Sequence, residues 1–267
     1  MTEPELSVLI PVLNWEDTLQ ETVRRLREDV AGHDMEVLLI FDVTRPELRG
    51  EIDRGAGELA ERYETRALFR TNERGFGSAL RYGASNATGR AVMPVMADLS
   101  DELSAIPKML ARIEAGADVV VGARYVPGGK TVGSTPKQRT SRVYTWLMAL
   151  LTNVKVGDVS NSFKMYRREV WSAVEPVADS FDLSVELVVK AAELGYRIEY
   201  VPVTWENRLV GKSTFRVMRE LRNYGRWLAY AMVRMPSRWL IVAGLGLPLV
   251  LRARYRRPLQ RSAAVGS

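Results

Sequence analysis

An apolar segment near the middle of the chain ends abruptly in an acidic turn. Residues 92–101 read Val-Met-Pro-Val-Met-Ala-Asp-Leu-Ser-Asp, so Asp98 follows a stretch typical of a buried strand. In open α/β proteins, ligands bind at the edge of the sheet where the parallel strands end. Carboxylate oxygens there can hold a hard divalent cation, which in turn can hold a diphosphate. The turn is therefore a candidate metal and phosphate site.

Other charged side chains could act with this turn. Asp42 closes a second apolar segment, residues 35–41, and two acids at one sheet edge could serve a nucleotide and its metal. Alternatively, each acid caps a helix or a turn. The guanidinium groups of Arg124 and Arg208 can fork onto phosphate oxygens, although each would also suit a solvated surface.

Several other chemistries find no support in the sequence. The single histidine, His33, lies in Gly-His-Asp between a predicted helix and strand, which excludes a histidine-based metal site and disfavours Ser-His-Asp catalysis. The chain has no cysteine, so disulfides and thiolate metal sites are excluded. The turn Gly75-Phe76-Gly77 lacks the full dinucleotide-binding fingerprint, which disfavours a Rossmann dehydrogenase.

Alternating strands and helices must position these side chains. Apolar runs predict strands at residues 6–12, 35–41, 66–70, 90–96 and 118–122, and helical spacing predicts helices at 17–30, 47–63, 75–86 and 103–115. This alternation predicts an α/β fold with a mainly parallel, doubly wound sheet.

The second half of the chain is less regular. Residues 125–137 are rich in Gly, Pro and Lys and predict a loop. Helices are predicted at 139–151, 183–194 and 214–233, and strands at 163–166 and 198–205. Residues 239–251 are apolar but fall short of the roughly 20 residues that span a bilayer. We expect them to lie in a membrane interface or to dock on protein.

Composition sets the class of protein. The 267 residues are 46% hydrophobic and 26% charged, which is typical of a globular chain with one large domain and a smaller appendage. The net charge is +6, and residues 252–261 contain five arginines and no acid. A basic end after an apolar segment indicates an anionic membrane surface rather than nucleic acid, because no aromatic-and-basic repeat or reader motif is present.

Five segments, taken in order, resemble family 2 glycosyltransferases of the dolichol-phosphate mannose synthase type. They are the opening strand at residues 7–14, the glycine-bearing turn at 72–80, the acidic turn at 96–101, Gly-Ala-Arg-Tyr at 122–125 and the segment at 201–213. Each segment alone is a weak signal, whereas five in the family's order are a strong one. The resemblance covers residues 5–216.

The resemblance implies a GT-A fold, with residues 1–216 as the catalytic domain and 217–267 as C-terminal amphipathic and apolar helices with a basic tail. It implies an inverting glycosyltransferase that uses a nucleotide-diphosphate donor (GDP-mannose or a UDP-sugar), a divalent cation (Mg or Mn) and a polyprenyl-phosphate acceptor. Two alternatives stay open: a soluble acceptor, or a nucleotide-sugar-binding protein with weakened catalysis.

The matching positions also imply roles for individual residues. Asp98 and Ser100 would bind the metal, and Asp98, Arg124 and Arg208 would carry catalysis. Arg124, Arg208 and Lys212 would bind phosphate or acceptor. The donor-binding positions are Pro11, Leu13, Asp42, Ala97 and Asp98.

Three acidic positions of the family are replaced here, by Trp15, Val43 and Met96. A thioether cannot replace a carboxylate as a Mg ligand, so the resemblance implies a metal held by Asp98, the donor diphosphate and water. Either Glu16 or Asp101 could compensate. A subgroup of the family carries Met-Ala-Asp followed by Ser-Asp, which favours altered activity over none.

Two further residues have open roles. Asp158 could orient a basic residue, help bind the sugar or cap a turn. Glu186 lies on a predicted helix and either faces the sugar site or pairs with Lys190 four residues later.

A lipid-phosphate acceptor implies a cytoplasmic location, peripheral at the inner face of the membrane. The helix at 214–233, the apolar segment at 239–251 and the arginine tail would hold the catalytic domain near the acceptor. Alternatively, the apolar segment docks on protein and the tail is disordered.

Overall fold

The computed structural model describes residues 3–70, 75–132, 136–152, 157–206 and 217–234. Within these ranges the strands are β1 Leu6–Leu13, β2 Met35–Asp42, β3 Thr65–Arg70, β4 Ala91–Pro94, β5 Val119–Ala123, β6 Lys130–Val132, β7 Lys164–Arg167, β8 Ile198–Pro202 and β9 Thr204–Glu206. Seven strands form one sheet in the order β3-β2-β1-β4-β7-β5-β8, and β6 pairs with β9 in a second sheet.

Helices cover both faces of the large sheet. They are α1 Leu19–Asp29, α2 Arg49–Tyr63, α3 Phe76–Ser85, α4 Ile106–Glu114, α5 Pro136–Thr152, α6 Arg168–Val174, α7 Leu183–Glu193 and α8 Val217–Arg234. One buried cluster joins the sheet to α1, α2 and α4, and another joins it to α3 and α5–α8. Helix α8, the last element of the described residues, takes part in the second cluster, where Trp227 and Ala231 are buried.

Strand register brings the ends of β1, β2 and β3 level. Leu13 lies opposite Asp42, and Asp42 lies opposite Arg70. Strands β1 and β2 reach these positions as nearly continuous buried apolar runs, which is the pattern of a parallel sheet covered on both faces. The register therefore places Asp42 and Arg70 together at the carboxyl edge of the sheet.

The predicted α/β fold with a mainly parallel sheet is confirmed, with β7 as an antiparallel strand between β4 and β5. Some local predictions were wrong. The predicted loop at 125–137 contains β6, the predicted strand at 198–205 is divided into β8 and β9, and α6 was not predicted. Strand β4 ends at Pro94 rather than residue 96, although the Val95 N–H still donates to the Leu9 carbonyl at 2.9 Å.

A bilayer-spanning helix, which must be both long and apolar, is absent from the described part of the chain. The apolar segment at 239–251 and the arginine tail lie outside the described residues.

A buried lysine fastens β7 to the turn that precedes it. Lys164 is fully buried, and its ammonium group donates to the backbone oxygens of Val159 and Ser184, each at 3.0 Å, and of Asn161. Burial lowers the pKa of Lys164 to about 7, against the opposing effect of the Asp158 carboxylate.

This lysine predicts a pH dependence of stability. Between pH 7 and pH 10 the unfolded chain keeps a proton on Lys164 that the folded chain has lost, so the free energy of unfolding should rise with pH, by at most about 1.4 kcal/mol per unit. Lys164→Met should flatten this slope in urea unfolding measured across that range. Lys108→Met, at an exposed site on α4, should retain it. An unchanged slope in Lys164→Met would contradict the assignment.

Candidate active site

The acidic turn leaves the end of β4 and folds back on itself. Leu99 has a positive φ of 60°, which turns the chain so that the Ser100 N–H donates to Asp98 Oδ1 at 3.1 Å. Asp98 and Ser100 are both buried, with exposed fractions of 7% and 5%. The turn therefore holds the Asp98 carboxylate in a fixed place at the edge of the sheet.

A second carboxylate belongs to the same turn. Asp101 is partly buried, and its Oδ2 accepts the Met96 N–H at 3.0 Å. Burial raises the pKa of Asp101 to about 7; the Asp98 charge adds to the rise, and the Met96 N–H and the Arg124 guanidinium oppose it. The two acids are thus close enough to repel each other.

This donor set suits a hard divalent cation. Two carboxylates beside a hydroxyl offer oxygen ligands of the kind that Mg and Mn take, and a cation would relieve the repulsion between the acids. Within the described ranges no group of three or more acidic, histidine or cysteine residues surrounds a possible metal position. The remaining ligands would therefore come from a bound diphosphate and water.

The two neighbouring segments hold the acidic turn in place. Thr18, at the start of α1, donates its hydroxyl to the Ala97 carbonyl at 2.5 Å. On the other side, the Glu206 N–H donates to the Ser100 carbonyl at 3.3 Å, and the Thr204 N–H donates to the Glu102 carboxylate. Strand β9 is thereby joined directly to the turn.

Asp42 is engaged by an arginine that the sequence analysis did not single out. Arg70 donates to both carboxylate oxygens, from Nε at 2.6 Å and from Nη2 at 2.5 Å, and from Nη1 to Ser78 Oγ at 2.8 Å. Arg70 is almost fully buried, with an exposed side-chain fraction of 3%. The available signal was the strand pattern itself, because opposite charges end two adjacent parallel strands.

The other predicted donor positions lie at or near the end of β1. Leu13 is 43% exposed beside Asp42, and Pro11 is partly buried. Next to Leu13, Asn14 has a φ of 59° and its Oδ1 accepts the Thr44 N–H at 2.8 Å, which ties this edge to the segment after β2.

Two of the replaced acidic positions have become packing residues. The Trp15 ring stacks on Phe41, with centroids 6.3 Å apart, and lies so close to Gly55 of α2 that a Cβ there would collide with it. Val43 packs against the core under α1 and α2. Both side chains therefore pack on the core at this edge of the sheet.

Arg124 is held by a fully buried carboxylate. Asp158 accepts from Arg124 Nε at 2.5 Å and Nη2 at 3.1 Å, while its Oδ1 also accepts the Asn161 N–H at 3.1 Å. Burial opposes the charge of Arg124, but Asp158 outweighs it and the pKa of Arg124 rises. The contacts therefore show two of the roles open to Asp158: it orients a basic residue, and it caps the turn that follows it by accepting the Ser160 and Asn161 N–H groups.

Two hydroxyls and two aromatic rings surround the same guanidinium. Arg124 Nη2 lies 3.4 Å from Ser141 Oγ on α5 and 3.3 Å from Ser160 Oγ. The centroids of the Tyr125 and Trp205 rings lie 5.1 Å and 5.7 Å from Arg124 Cζ. The arginine is thus fixed between β5, α5 and β9, within electrostatic reach of the acidic turn.

The remaining predicted residues divide into two groups. Arg208 and Lys212 lie outside the described residues. Glu186 is fully buried, accepts the N–H groups of Val177 and Ala178 and pairs with Lys190 at 2.6 Å. The predicted pairing with Lys190 is confirmed, but in the interior rather than on a helix surface.

Comparison with known proteins places this arrangement in context. The sequence profile of glycosyl transferase family 2 matches residues 7–174. The chain is 29% identical to a dolichol-phosphate mannosyltransferase of Pyrococcus furiosus over 84% of its own length, and it spans 64% of that relative. It is 30% identical to an undecaprenyl-phosphate mannosyltransferase of Micrococcus luteus, over 82% of this chain and 92% of the relative.

Solved structures of low sequence identity share the fold. Glucosyl-3-phosphoglycerate synthase from Mycobacterium tuberculosis, in complex with Mn²⁺, UDP and glucosyl-3-phosphoglycerate, superposes with a TM-score of 0.60 at 16% identity, over 87% of this chain and 80% of that one. The same enzyme is also known in complex with Mg²⁺ and UDP. This likeness confirms the predicted GT-A fold.

The buried pair predicts a large stability effect. Asp158→Asn should lower the free energy of unfolding by about 3–5 kcal/mol, since it leaves the Arg124 charge buried without its partner. Asp179→Asn is the matched control, because Asp179 pairs with Arg81 but its side chain is 69% exposed. This control should cost about 1 kcal/mol or less. Equally small losses in urea unfolding would contradict a buried pair.

If the acidic turn binds a divalent cation, an acid at position 96 should raise the affinity for that cation. Met96→Asp adds a carboxylate beside Asp98 and Asp101 and should tighten Mn²⁺ binding about ten-fold in the presence of a nucleoside diphosphate, measured by calorimetry at pH 8. Met96→Leu, which adds no oxygen, should leave the affinity unchanged. If Met96→Asp binds Mn²⁺ no tighter, position 96 does not face the metal.

Proposed function

Since this chain belongs to glycosyl transferase family 2, we propose that it transfers a sugar from a nucleotide-diphosphate donor to the phosphate of a polyprenyl-phosphate acceptor. The observation that carries the proposal is the Arg124 guanidinium, held by Asp158 beside an acidic turn. An anion site and a cation site at one sheet edge suit two phosphorylated substrates. The names of the polyprenyl-phosphate relatives support the same acceptor class.

The donor would lie along the ends of β1, β2 and β4. Asp98 and Ser100, with Asp101 beside them, would hold Mg or Mn. The cation, when bound, would neutralise charge on the leaving diphosphate. Asp42, fixed by Arg70, would contact the nucleotide together with Pro11, Leu13 and Ala97. The donor would be GDP-mannose or a UDP-sugar.

The acceptor phosphate would act as the nucleophile. One of its oxygens forms a bond to the anomeric carbon as the bond from that carbon to the diphosphate oxygen breaks, so the configuration inverts and a nucleoside diphosphate leaves. Since the phosphate is already anionic at neutral pH, no strong general base is needed. Since Asp158 takes Nε and Nη2 of Arg124, the arginine would orient the phosphate through the N–H groups of Nη1, with Arg208 and Lys212 as further basic groups.

The acceptor's chemistry also supports peripheral association with a membrane at its cytoplasmic face. A polyprenyl chain stays in the bilayer, so the enzyme must reach its phosphate at the surface. The arginines of residues 252–261 suit an anionic leaflet.

Transfer assays with radiolabelled GDP-mannose and UDP-sugars test the proposal. With polyprenyl phosphate and Mn²⁺, label should move into the organic phase for one donor. Label transferred only to a soluble acceptor would contradict the lipid-phosphate acceptor. Nucleotide binding without turnover, across all donors and acceptors, would contradict an active enzyme and support a binding protein.

Arg124 gives a sharper prediction. Arg124→Ala should lower kcat/KM for the acceptor about 10²- to 10³-fold, since a fixed positive group facing the reacting phosphate is lost. Arg112→Ala is the matched control, because this arginine also pairs with a carboxylate, that of Glu199, but its side chain is 57% exposed. Unchanged acceptor kinetics in a folded Arg124→Ala would contradict the role.

A further inference from the structure

Helix α5 exposes a row of large apolar side chains. Val143, Trp146 and Leu150 are 58%, 62% and 36% exposed. Their spacing of three and four residues places them on one face of the helix. Single exposed apolar residues are ordinary on a protein surface, whereas a contiguous row that includes tryptophan marks a contact surface.

The charges of α5 are of one sign. The helix contains Lys137, Arg139 and Arg142 and no aspartate or glutamate. Arg139 and Arg142 are both exposed. Basic residues beside tryptophan and aliphatic side chains are typical of a helix that lies in the interface of an anionic membrane.

The opposite face of α5 is packed on the protein. Thr145 and Met148 are buried, and the Tyr144 hydroxyl donates to the Tyr224 carbonyl of α8 at 3.0 Å. These contacts fix the orientation of the helix, so the exposed row cannot turn inward without breaking them.

The exposed row begins beside the phosphate-binding arginine. Ser141, whose hydroxyl lies 3.4 Å from Arg124 Nη2, precedes Trp146 by five residues. At 1.5 Å per residue, this separation is about 7.5 Å along the helix axis. The same helix therefore contacts the candidate acceptor site and carries the apolar surface.

We propose that the outer face of α5, defined by Val143, Trp146 and Leu150 with Arg139 and Arg142, rests on the anionic membrane surface. Seated there, it presents Arg124 to a phosphate in the headgroup layer. The inference rests on the proposed lipid-phosphate acceptor and deepens it by naming the membrane-facing surface. This surface differs from the segments for which the sequence predicts membrane contact, which are residues 214–233, 239–251 and the arginine tail.

The absence of cysteine makes a site-specific probe possible in the full chain. Val143→Cys and Val177→Cys would each be labelled with an environment-sensitive fluorophore. The two positions start from the same residue type at similar exposure, 58% and 63%, and Val177 lies between α6 and α7. On vesicles of phosphatidylglycerol and phosphatidylcholine, the label at 143 should brighten and shift to the blue, and the label at 177 should not.

Three outcomes would overturn the proposal. The label at 143 could remain water-exposed on vesicles, or it could respond equally to vesicles of phosphatidylcholine alone. It could also be shielded before vesicles are added, which would mean that the C-terminal segment or a second copy of the chain covers this face.

A substitution in the outer face of α5 distinguishes membrane binding from sugar transfer. Trp146→Ser should weaken partitioning onto the anionic vesicles about ten-fold, since a large apolar side chain no longer leaves water. Transfer to a short, water-soluble prenyl phosphate should be unchanged. Unaltered partitioning would overturn the surface, whereas a wild-type chain that transfers nothing to the soluble prenyl phosphate would contradict the proposed function.

Discussion

The buried ion pair between Arg124 and Asp158 joins parts of the chain that are distant in sequence. The arginine follows β5, and the carboxylate lies 34 residues later, before β7. Asp158 is fully buried, so its charge must be met by donors, and Arg124 and the Asn161 N–H supply them. Because Ser141 of α5 approaches the same guanidinium, the pair also fixes the helix that borders the site.

A second ion pair, between Asp42 and Arg70, lies at the other end of the carboxyl edge. Asp42 and Arg70 end adjacent parallel strands, and the register places them side by side. Between the two pairs lies the acidic turn, where burial and the charge of Asp98 raise the pKa of Asp101. The edge thus carries an ion pair on each side of two acids whose charge a cation would neutralise.

The replaced acids have different consequences in the fold. Trp15 and Val43 pack on the core, at two positions where the family has acidic residues. At Met96 the backbone N–H holds Asp101 in the turn. The turn therefore keeps two carboxylates, although the family motif alone would leave only Asp98.

The sequence predicted those features of the fold that depend on local residue patterns. Buried apolar runs located the strands of the first half, and the charged residues that follow them located the edge where the site lies. It could not predict β6, a three-residue strand whose partner β9 lies some seventy positions later in the chain, because such pairing depends on the assembled fold. The pairings of Asp42 with Arg70 and of Arg124 with Asp158 were not assigned for the same reason: both depend on how distant strands and turns come together in the fold.

The central claim is that Arg124 and its surroundings bind a phosphate carried by a lipid. It is tested most directly by the affinity of the full chain for a prenyl phosphate and for the matching prenyl alcohol, measured by calorimetry with a nucleoside diphosphate and Mn²⁺ present. The two ligands share the apolar chain and differ in the charged group, so the phosphate should bind more tightly by about ten-fold or more. Equal affinities would contradict the account.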